Sequence, residues 1–528
     1  MSIMNIKRLK PVKYAMIIIF VVTHLMIAGL ALRMMFIPKL QPWHTFVPAE
    51  MTVAELEKAT WDDYVAREKK LFDDVYREVV QKTPQTEKTA INKYFEGSKV
   101  YPPALKKDWN HSFLLTPDNP KGVVVLLHGL TDSPYSVRNI AFLYFQRGFV
   151  AMGIRTPGHG TVPGGLAKCS WNEWVAATRL AAREARKLSP EGTPLHMVGF
   201  SQGGALAVKY ALDALEDNSL PRPDRLVLIS PMIGITRLSR LAEFVALPSV
   251  LPLFKQAAWL SISPEFNPFK YNSFPVNAVK QARLLITGKR RQIARLYETG
   301  KLKEMPPIIT FQSIVDYTVS TPALINDLYS YLPYNGSELV LFDINRGTVL
   351  TPLIRPIFTD LVSNMLPDLP QRYTLTIIGN AADGDSRAVE RRALPGETRF
   401  TERELGLIYP TGVFSLSHIS LPFPETDPLY GSAPDPQEKD AYGLNLGLVS
   451  NAQGERGILE INMNLFFRIS SNPLFPYFVN RMDEIISGSP PPPTPVGKPD
   501  AVKSTKCKMT PKQYDDLLKE SGYNEGQF

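Results

Sequence analysis

The sequence predicts an α/β fold in which a mostly parallel central sheet is flanked by helices. Three observations carry that expectation. Short apolar runs rich in β-branched residues recur from about residue 110, among them "GVVVLLHG" at 122–129 and "PLHMVGF" at 194–200. Because they are apolar almost throughout and do not alternate, they suit strands buried on both faces of a parallel sheet. Helical stretches separate them, so the repeating unit is strand, helix, strand.

Composition sets the outer bounds. A chain of 528 residues exceeds one compact core of ordinary size, so one large domain or two modest ones are expected. With 44% hydrophobic and 21% charged residues it reads as globular, and its 46 prolines favour ordered turns over long uninterrupted helices. The formal net charge of +8 is spread without the block of like charges that tracks nucleic acid, so no nucleic-acid partner is expected. Only Cys169 and Cys507 are present, which excludes a cysteine-built zinc site and a disulfide framework and leaves room for one bridge.

Taken in order, residues 1–36 open with Lys7, Arg8, Lys10 and Lys13, followed by "YAMIIIFVVTHLMIAGLAL", which has no formal charge before Arg33. Nineteen apolar-dominated residues at about 1.5 Å rise are long enough for a transmembrane helix. The basic excess before them predicts a single-pass anchor, its N-terminus cytoplasmic and the rest exported to a periplasmic or extracytoplasmic side. A cleaved signal peptide is the rival; "RMMFIPKL" offers it no clear small-x-small cleavage site. Residues 37–109 form a helical juxtamembrane or packing segment. "TVAE" at Thr52–Glu55 reads as a capping box, and Trp61, Val65, Leu71, Phe72, Val75, Tyr76, Val79 and Val80 recur at helical spacing.

The α/β core is expected over 110–231 and 305–488. Its strand candidates continue with "GFVAMGIR" at 148–155, "DRLVLISP" at 224–231, "PPIITFQSIVD" at 306–316 and "SELVLFDI" at 337–344. "WNEWVAATRLAAREARKL" and "ALAVKYALDALED" supply helices between them. Trp171 and Trp174, three apart on the first of these, read as core more readily than as pocket lining. Residues 232–304 interrupt the rhythm with an apolar, proline-broken stretch. Its place at the C-terminal edge of a parallel sheet makes it a cap or lid candidate, because ligands bind at that edge. Residues 489–528, entered through "SGSPPPPTPVGKPD" at 487–500, read as a Pro-rich linker and polar tail outside the fold.

The chemistry centres on "GFSQG", Gly199–Gly203, placed after a strand candidate and before a helix candidate. That context is what a G-x-S-x-G turn requires: the serine projects above the sheet, and small neighbours let strand and helix approach. The backbone N–H of Gln202 then points to where an oxyanion forms, at a helix N-terminus that favours negative charge. "LLHGLTDSP" at 126–134 offers Leu130 N–H as a second donor, with His128 read as a loop-structuring histidine. "RTPGHGTVPGG" at 155–165 follows the next strand.

On His128-Gly129, on Pro157-Gly158-His159-Gly160 with Trp171 and Trp174 downstream, and on Gly199–Gly203, the sequence resembles the α/β-hydrolase superfamily. Within it the resemblance is to carboxylesterase and monoglyceride-lipase-like (lysophospholipase-like) serine hydrolases, over roughly residues 110–425. It implies an α/β-hydrolase fold, a Ser, acid, His triad in that chain order, a backbone oxyanion hole, and no metal or organic cofactor. Of seven histidines (His24, His44, His111, His128, His159, His196, His418) only His418 follows Ser201, so under that order it alone is eligible as the base. Asp316, ending "PPIITFQSIVD", is favoured as the acid that orients the imidazole. Asp343 and the pair Asp383 and Asp385 are rivals, read as a strand end and a turn. The 102 residues from Asp316 to His418 exceed what a compact hydrolase needs, and "PQRYTLTIIGN" within them offers a further strand.

The function expected is hydrolysis of carboxylic esters, small or lipid-like, by a membrane-anchored serine esterase or lipase through Ser201, Asp316 and His418. A thioesterase or acyltransferase with the same triad, and a non-catalytic membrane-anchored binding module, are the alternatives.

Overall fold

The computed structural model describes residues 38–234, 252–460, 467–468, 470–488 and 505–520, with four further positions near the start of the chain. The first strands are β1 (Phe113–Leu115), β2 (Gly122–Leu127), β3 (Phe149–Ile154), β4 (Leu195–Phe200) and β5 (Arg225–Ile229). A two-stranded hairpin of β6 (Trp259–Ser261) and β7 (Phe274–Pro275) follows. Then come β8 (Ile308–Ser313), β9 (Glu338–Phe342), β10 (Thr374–Asn380), β11 (Arg387–Ala393) and β12 (Thr401–Ile408). All but the hairpin join one ten-stranded sheet in the order β1-β3-β2-β4-β5-β8-β9-β10-β11-β12.

From β3 to β10 every neighbouring pair is parallel. Antiparallel pairs occur at the two edges, β1 on β3 at one side and the β10-β11-β12 meander at the other. The six runs predicted as strands are the six central parallel ones from β2 to β9, and "PQRYTLTIIGN" supplies β10.

Pleating explains why the central strands read as solidly apolar. Successive side chains point to opposite faces, and both faces are covered. In β2, Val123, Val125 and Leu127 join the core under helices α3 (Trp171–Arg186), α4 (Gln202–Ala214) and α5 (Val276–Glu298). Val124 and Leu126 face the other core, shared with α2 (Arg138–Gln146) and α6 (Phe475–Ile486). At the exposed edge strand β12 the pattern instead becomes charged, "TERELGLI". That suits an edge that must resist pairing with another chain.

Thr52 does form a capping box with Glu55, but the helix it opens is one turn, Val53–Leu56. A second box, Thr60 with Asp63, restarts the chain into a longer helix, α1 (Trp61–Val75). Its buried stripe is Tyr64, Glu68, Leu71 and Val75, whereas Val65 and Tyr76 are exposed. The stripe is shifted from the apolar periodicity because two polar residues take core positions. Tyr64 donates its hydroxyl to the Arg155 carbonyl, and Glu68 pairs with the Arg155 guanidinium at 3.0 Å. Glu50 takes the other side of Arg155 at 2.8 Å and accepts from Gly158 N–H. This segment is thus bolted to the loop that follows β3.

Among the described residues no helix is long and apolar enough to cross a membrane. The predicted anchor, residues 14–32, lies outside the described residues except at Tyr14, Met16, Phe20 and Val21, and so does most of the apolar cap stretch, residues 235–251. Part of the tail corrects the sequence reading. Residues 505–520 pack on the core, ending in α7 (Pro511–Glu520), whose Tyr514 and Leu517 are buried. Cys507 N–H donates to Asn326 Oδ1 and Lys508 N–H to the Met365 carbonyl. Two apolar residues three apart are too short a stripe to stand out in a polar sequence. Cys169 and Cys507 are both buried free thiols, so the single bridge the composition left open is not formed.

Candidate active site

The C-terminal ends of β2, β4 and β8 lie on one edge of the sheet, because these strands are parallel, and the chain leaves each through a tight turn. At the end of β4, Ser201 sits at φ 53°, ψ −112°, a left-handed conformation rare for a residue with a Cβ. Local bonds hold it there. Its N–H donates to the Ile229 carbonyl of β5 at 2.9 Å, and its carbonyl accepts from Met232 N–H at 2.9 Å. The flanking glycines are required sterically. A Cβ on Gly199 would lie 2.3 Å from the Gly203 carbonyl oxygen, and one on Gly203 would lie 2.0 Å from that of Leu127. Such strain at a buried turn is characteristic of functional positions.

His418 reaches this serine from far along the chain. The Ser201 hydroxyl donates to His418 Nε2 at 3.1 Å, and His418 Nδ1–H donates to Asp316 Oδ2 at 2.8 Å. Asp316 is fully buried, and its other oxygen accepts the N–H groups of Thr318 and Val319 at 2.8 and 2.9 Å. A carboxylate only accepts, so it fixes the imidazole tautomer with the proton on Nδ1 and the lone pair of Nε2 toward the serine. Ser201, His418 and Asp316 are thus brought together as the sequence expects.

The rivals for the acid are elsewhere. Asp343 accepts from Ile344 N–H and pairs with Arg346 at 3.2 Å. Asp385 pairs with Arg387, and the Asp383 side chain is 87% exposed.

The two expected oxyanion donors flank the serine's edge of the sheet. Gln202 is the first residue of α4, where an N–H has no intrahelical partner. Leu130 is the second residue of a turn closed by Asp132 N–H on the Gly129 carbonyl, with Thr131 at φ 66° in the third place. A left-handed third residue is what a type II turn demands. Behind this turn, His128 Nδ1–H donates to the Gly129 carbonyl at 2.9 Å, and Nε2 accepts Thr156 N–H at 3.0 Å. Burial pushes His128 well below its ordinary pKa, so it stays neutral and ties the turn after β2 to the loop after β3. Burial likewise pushes His159 down to about 4. Trp174 is wholly buried and donates its indole N–H to the Pro157 carbonyl, which makes it core, while Trp171 packs against the same core half-buried.

Four residues here had no sequence signal. Ser313 Oγ donates to the Leu416 carbonyl, joining β8 to the histidine loop. Glu455 accepts His418 N–H, Arg468 pairs with Glu455, and Tyr514 of α7 donates to the carbonyls of Ile314 and Asp316. Each lies far in sequence from the group it touches, and no motif frames it. Among the described residues no cluster of three or more His, Cys, Asp or Glu is placed to hold a metal ion.

A serine on a strand-to-helix turn, a later strand-end carboxylate and a still later histidine, at the C-terminal edge of a mostly parallel sheet, define the α/β-hydrolase fold of the serine hydrolases. Within that class the chain is similar to monoglyceride-lipase-like proteins. Residues 118–300 match the family described as serine aminopeptidase, S33. A thermostable monoacylglycerol lipase of Bacillus sp. (strain H-257) is 30% identical over 94 residues, 18% of this chain and 36% of that protein. The match thus spans about a third of the length of that relative. Among solved structures, a monoacylglycerol lipase from Paleococcus ferrophilus is 17% identical, with a TM-score of 0.31, over 42% of this chain and 84% of its own. A soluble variant of monoglyceride lipase from Saccharomyces cerevisiae is 16% identical, with a TM-score of 0.31, over 44% and 81%.

Proposed function

We propose that the chain is a serine hydrolase that cleaves carboxylic esters of amphiphilic, monoacylglycerol-like character. The observation that carries this reading is the line of bonds from Ser201 Oγ to His418 Nε2 and from His418 Nδ1 to Asp316, starting at a serine held in a left-handed turn. His418 takes the Ser201 proton as the hydroxyl oxygen attacks the ester carbonyl, and Asp316 stabilises the imidazolium. Leu130 and Gln202 N–H groups receive the developing oxyanion. His418 then protonates the leaving alcohol, and water, activated by the same imidazole, releases the acid and restores the serine.

Substrate class rests on the partial match to a monoacylglycerol lipase and on the apolar run at 14–32, which as a membrane anchor would hold the site beside lipid. The test is labelling of the full chain by a fluorophosphonate probe, beside Ser201→Ala and His418→Ala. Labelling of the wild type that both variants lose, followed by release of fatty acid from monoacylglycerols, is the expected result. Folded wild type that takes no label overturns the reading in favour of a non-catalytic module. Added alcohols or thiols that outcompete water for the acyl group would instead identify a transferase.

A further inference from the structure

His418 lies in a long stretch without regular structure, yet its imidazole must hold two bonds at once. Its backbone is held by a segment well downstream. His418 N–H donates to Glu455 Oε2 at 2.9 Å, and Glu455 N–H donates to Ser415 Oγ at 2.9 Å. Glu455 is wholly buried and pairs with Arg468 Nε at 2.5 Å. The same guanidinium donates to Thr318 Oγ1 at 2.7 Å, two residues beyond the acid, and Thr318 N–H donates to Asp316. The contacts therefore close a ring: Asp316, Thr318, Arg468, Glu455, the His418 backbone, the His418 imidazole and Asp316 again. Acid and base are joined twice, once directly and once through a buried charge pair.

Such a pair is a poor way to add stability, since desolvation offsets most of the attraction and apolar residues of like volume do as well. What the pair does here is add a second tie between the loop after Asp316 and the histidine loop, beside the catalytic bond and the Ser313 Oγ bond to the Leu416 carbonyl. We propose that Glu455 and Arg468 are positioning residues, which hold the histidine loop in register with the acid loop so that the His418 imidazole reaches Asp316 and Ser201 together. The proposal rests on the serine-hydrolase reading. A misplacement of about 1 Å at such a site costs about 100-fold in rate, which sets the scale of the effect.

The test uses the full chain with Glu455→Gln, Arg468→Met and the double variant, read by kcat, KM and the pH–rate profile on p-nitrophenyl butyrate. The charged and titratable groups around the base are Asp316 and Tyr317 on the acid loop, Glu455 and Arg456, Arg468, and Tyr514 beneath. Arg468→Met breaks the tie to Thr318 and should lower kcat by about 10- to 100-fold with KM nearly unchanged. Glu455→Gln leaves an unbalanced cation near the base, and Arg468→Met an unbalanced anion. The acidic limb of the profile should move to lower pH in the first, to higher pH in the second, and return in the double variant while kcat stays low.

A purely structural pair would lower stability and leave the kcat of the folded variants unchanged, although its unbalanced charge would still move the limb. Folded variants, the double variant included, with wild-type kcat overturn the proposal. Where a single variant does not fold, Arg468→Lys and the double variant, which leave no unpaired buried charge, carry the same comparison. If wild type itself neither hydrolyses esters nor takes fluorophosphonate, the hydrolase reading is what fails. The downfield proton resonance of His418 Nδ1–H then still reads positioning: loss in Arg468→Met supports the proposal and retention overturns it.

Discussion

Replacing Asp316 by asparagine tests the site where its geometry is most constrained. The Asp316 carboxylate has two jobs: Oδ1 accepts Thr318 and Val319 N–H, and Oδ2 accepts His418 Nδ1–H. Asparagine has one acceptor and one donor at those places. With its oxygen toward the two backbone N–H groups, its amide N–H₂ meets Nδ1 and forces the imidazole into the other tautomer. Nε2 then carries the proton and points a donor at Ser201, so the base is lost. Flipping the amide restores the imidazole but sets a donor against two buried N–H groups, each left unsatisfied at about 1–3 kcal/mol. The productive orientation is therefore disfavoured by about 2–6 kcal/mol, a population of about one in 30 to one in 10⁴. A kcat loss of that size is expected in Asp316→Asn, with KM and melting temperature little changed, and comparable tautomer errors in serine hydrolases cost about 10⁴-fold. The assay is p-nitrophenyl ester turnover beside the rate of fluorophosphonate labelling, with Asp343→Asn as the control that leaves both intact. A loss under about tenfold in a folded Asp316→Asn protein would refute the reasoning from acceptor count.

Two further outcomes follow from the same geometry. Burial pushes Lys289 down to about 7, and its ammonium donates to the carbonyl of Met232, the residue whose N–H meets the Ser201 carbonyl. A lowered lysine pKa means that the unfolded chain binds this proton more readily, so stability rises with pH between about 7 and the unfolded value of 10.5. Lys289→Met should therefore stabilise the protein at pH 6.5, by at most about 5 kcal/mol less about 1 for the lost bond, and lose most of that gain by pH 10. Urea midpoints of the two proteins across that range measure it, and a pH-independent difference would show that burial does not lower the lysine's pKa. Tyr514→Phe removes the hydroxyl that donates to Ile314 and Asp316 carbonyls and should cost about 1–3 kcal/mol in urea unfolding, with kcat falling only slightly.

What could be read from the sequence was what local chemistry dictates. The central strands announce themselves because burial on both faces removes alternation, and Ser201 because a left-handed serine at a strand-to-helix turn needs glycine on both sides. His418 followed from chain order and elimination, and Asp316 from its place at the end of a strand after the cap. The phase of α1 was misread for the opposite reason. Tyr64 and Glu68 face inward because they serve Arg155, a residue about ninety positions away, and periodicity counts only apolar partners. The β11 and β12 strands escaped likewise, since "RAVERRA" and "TERELGLI" are too charged to resemble the strands around them.

The residues that fix the geometry of the site belong to the illegible part. Ser313, Glu455, Arg468 and Tyr514 act through single bonds to a backbone group or a neighbouring charge, which no spacing rule announces. Their distribution has a physical logic. A base placed 102 residues after its acid arrives on a loop whose closure entropy grows only slowly with length, so a long insertion is tolerated. Such a loop is not rigid by itself, however, and the His418–Asp316 bond and the Ser313 bond to the Leu416 carbonyl leave much of it to be ordered by other contacts. The Glu455–Arg468 pair from one side and Tyr514 from beneath supply that order from chain segments beyond the histidine. The extra length of this chain is then coupled to the site: residues after His418 hold that histidine and the acid that precedes it.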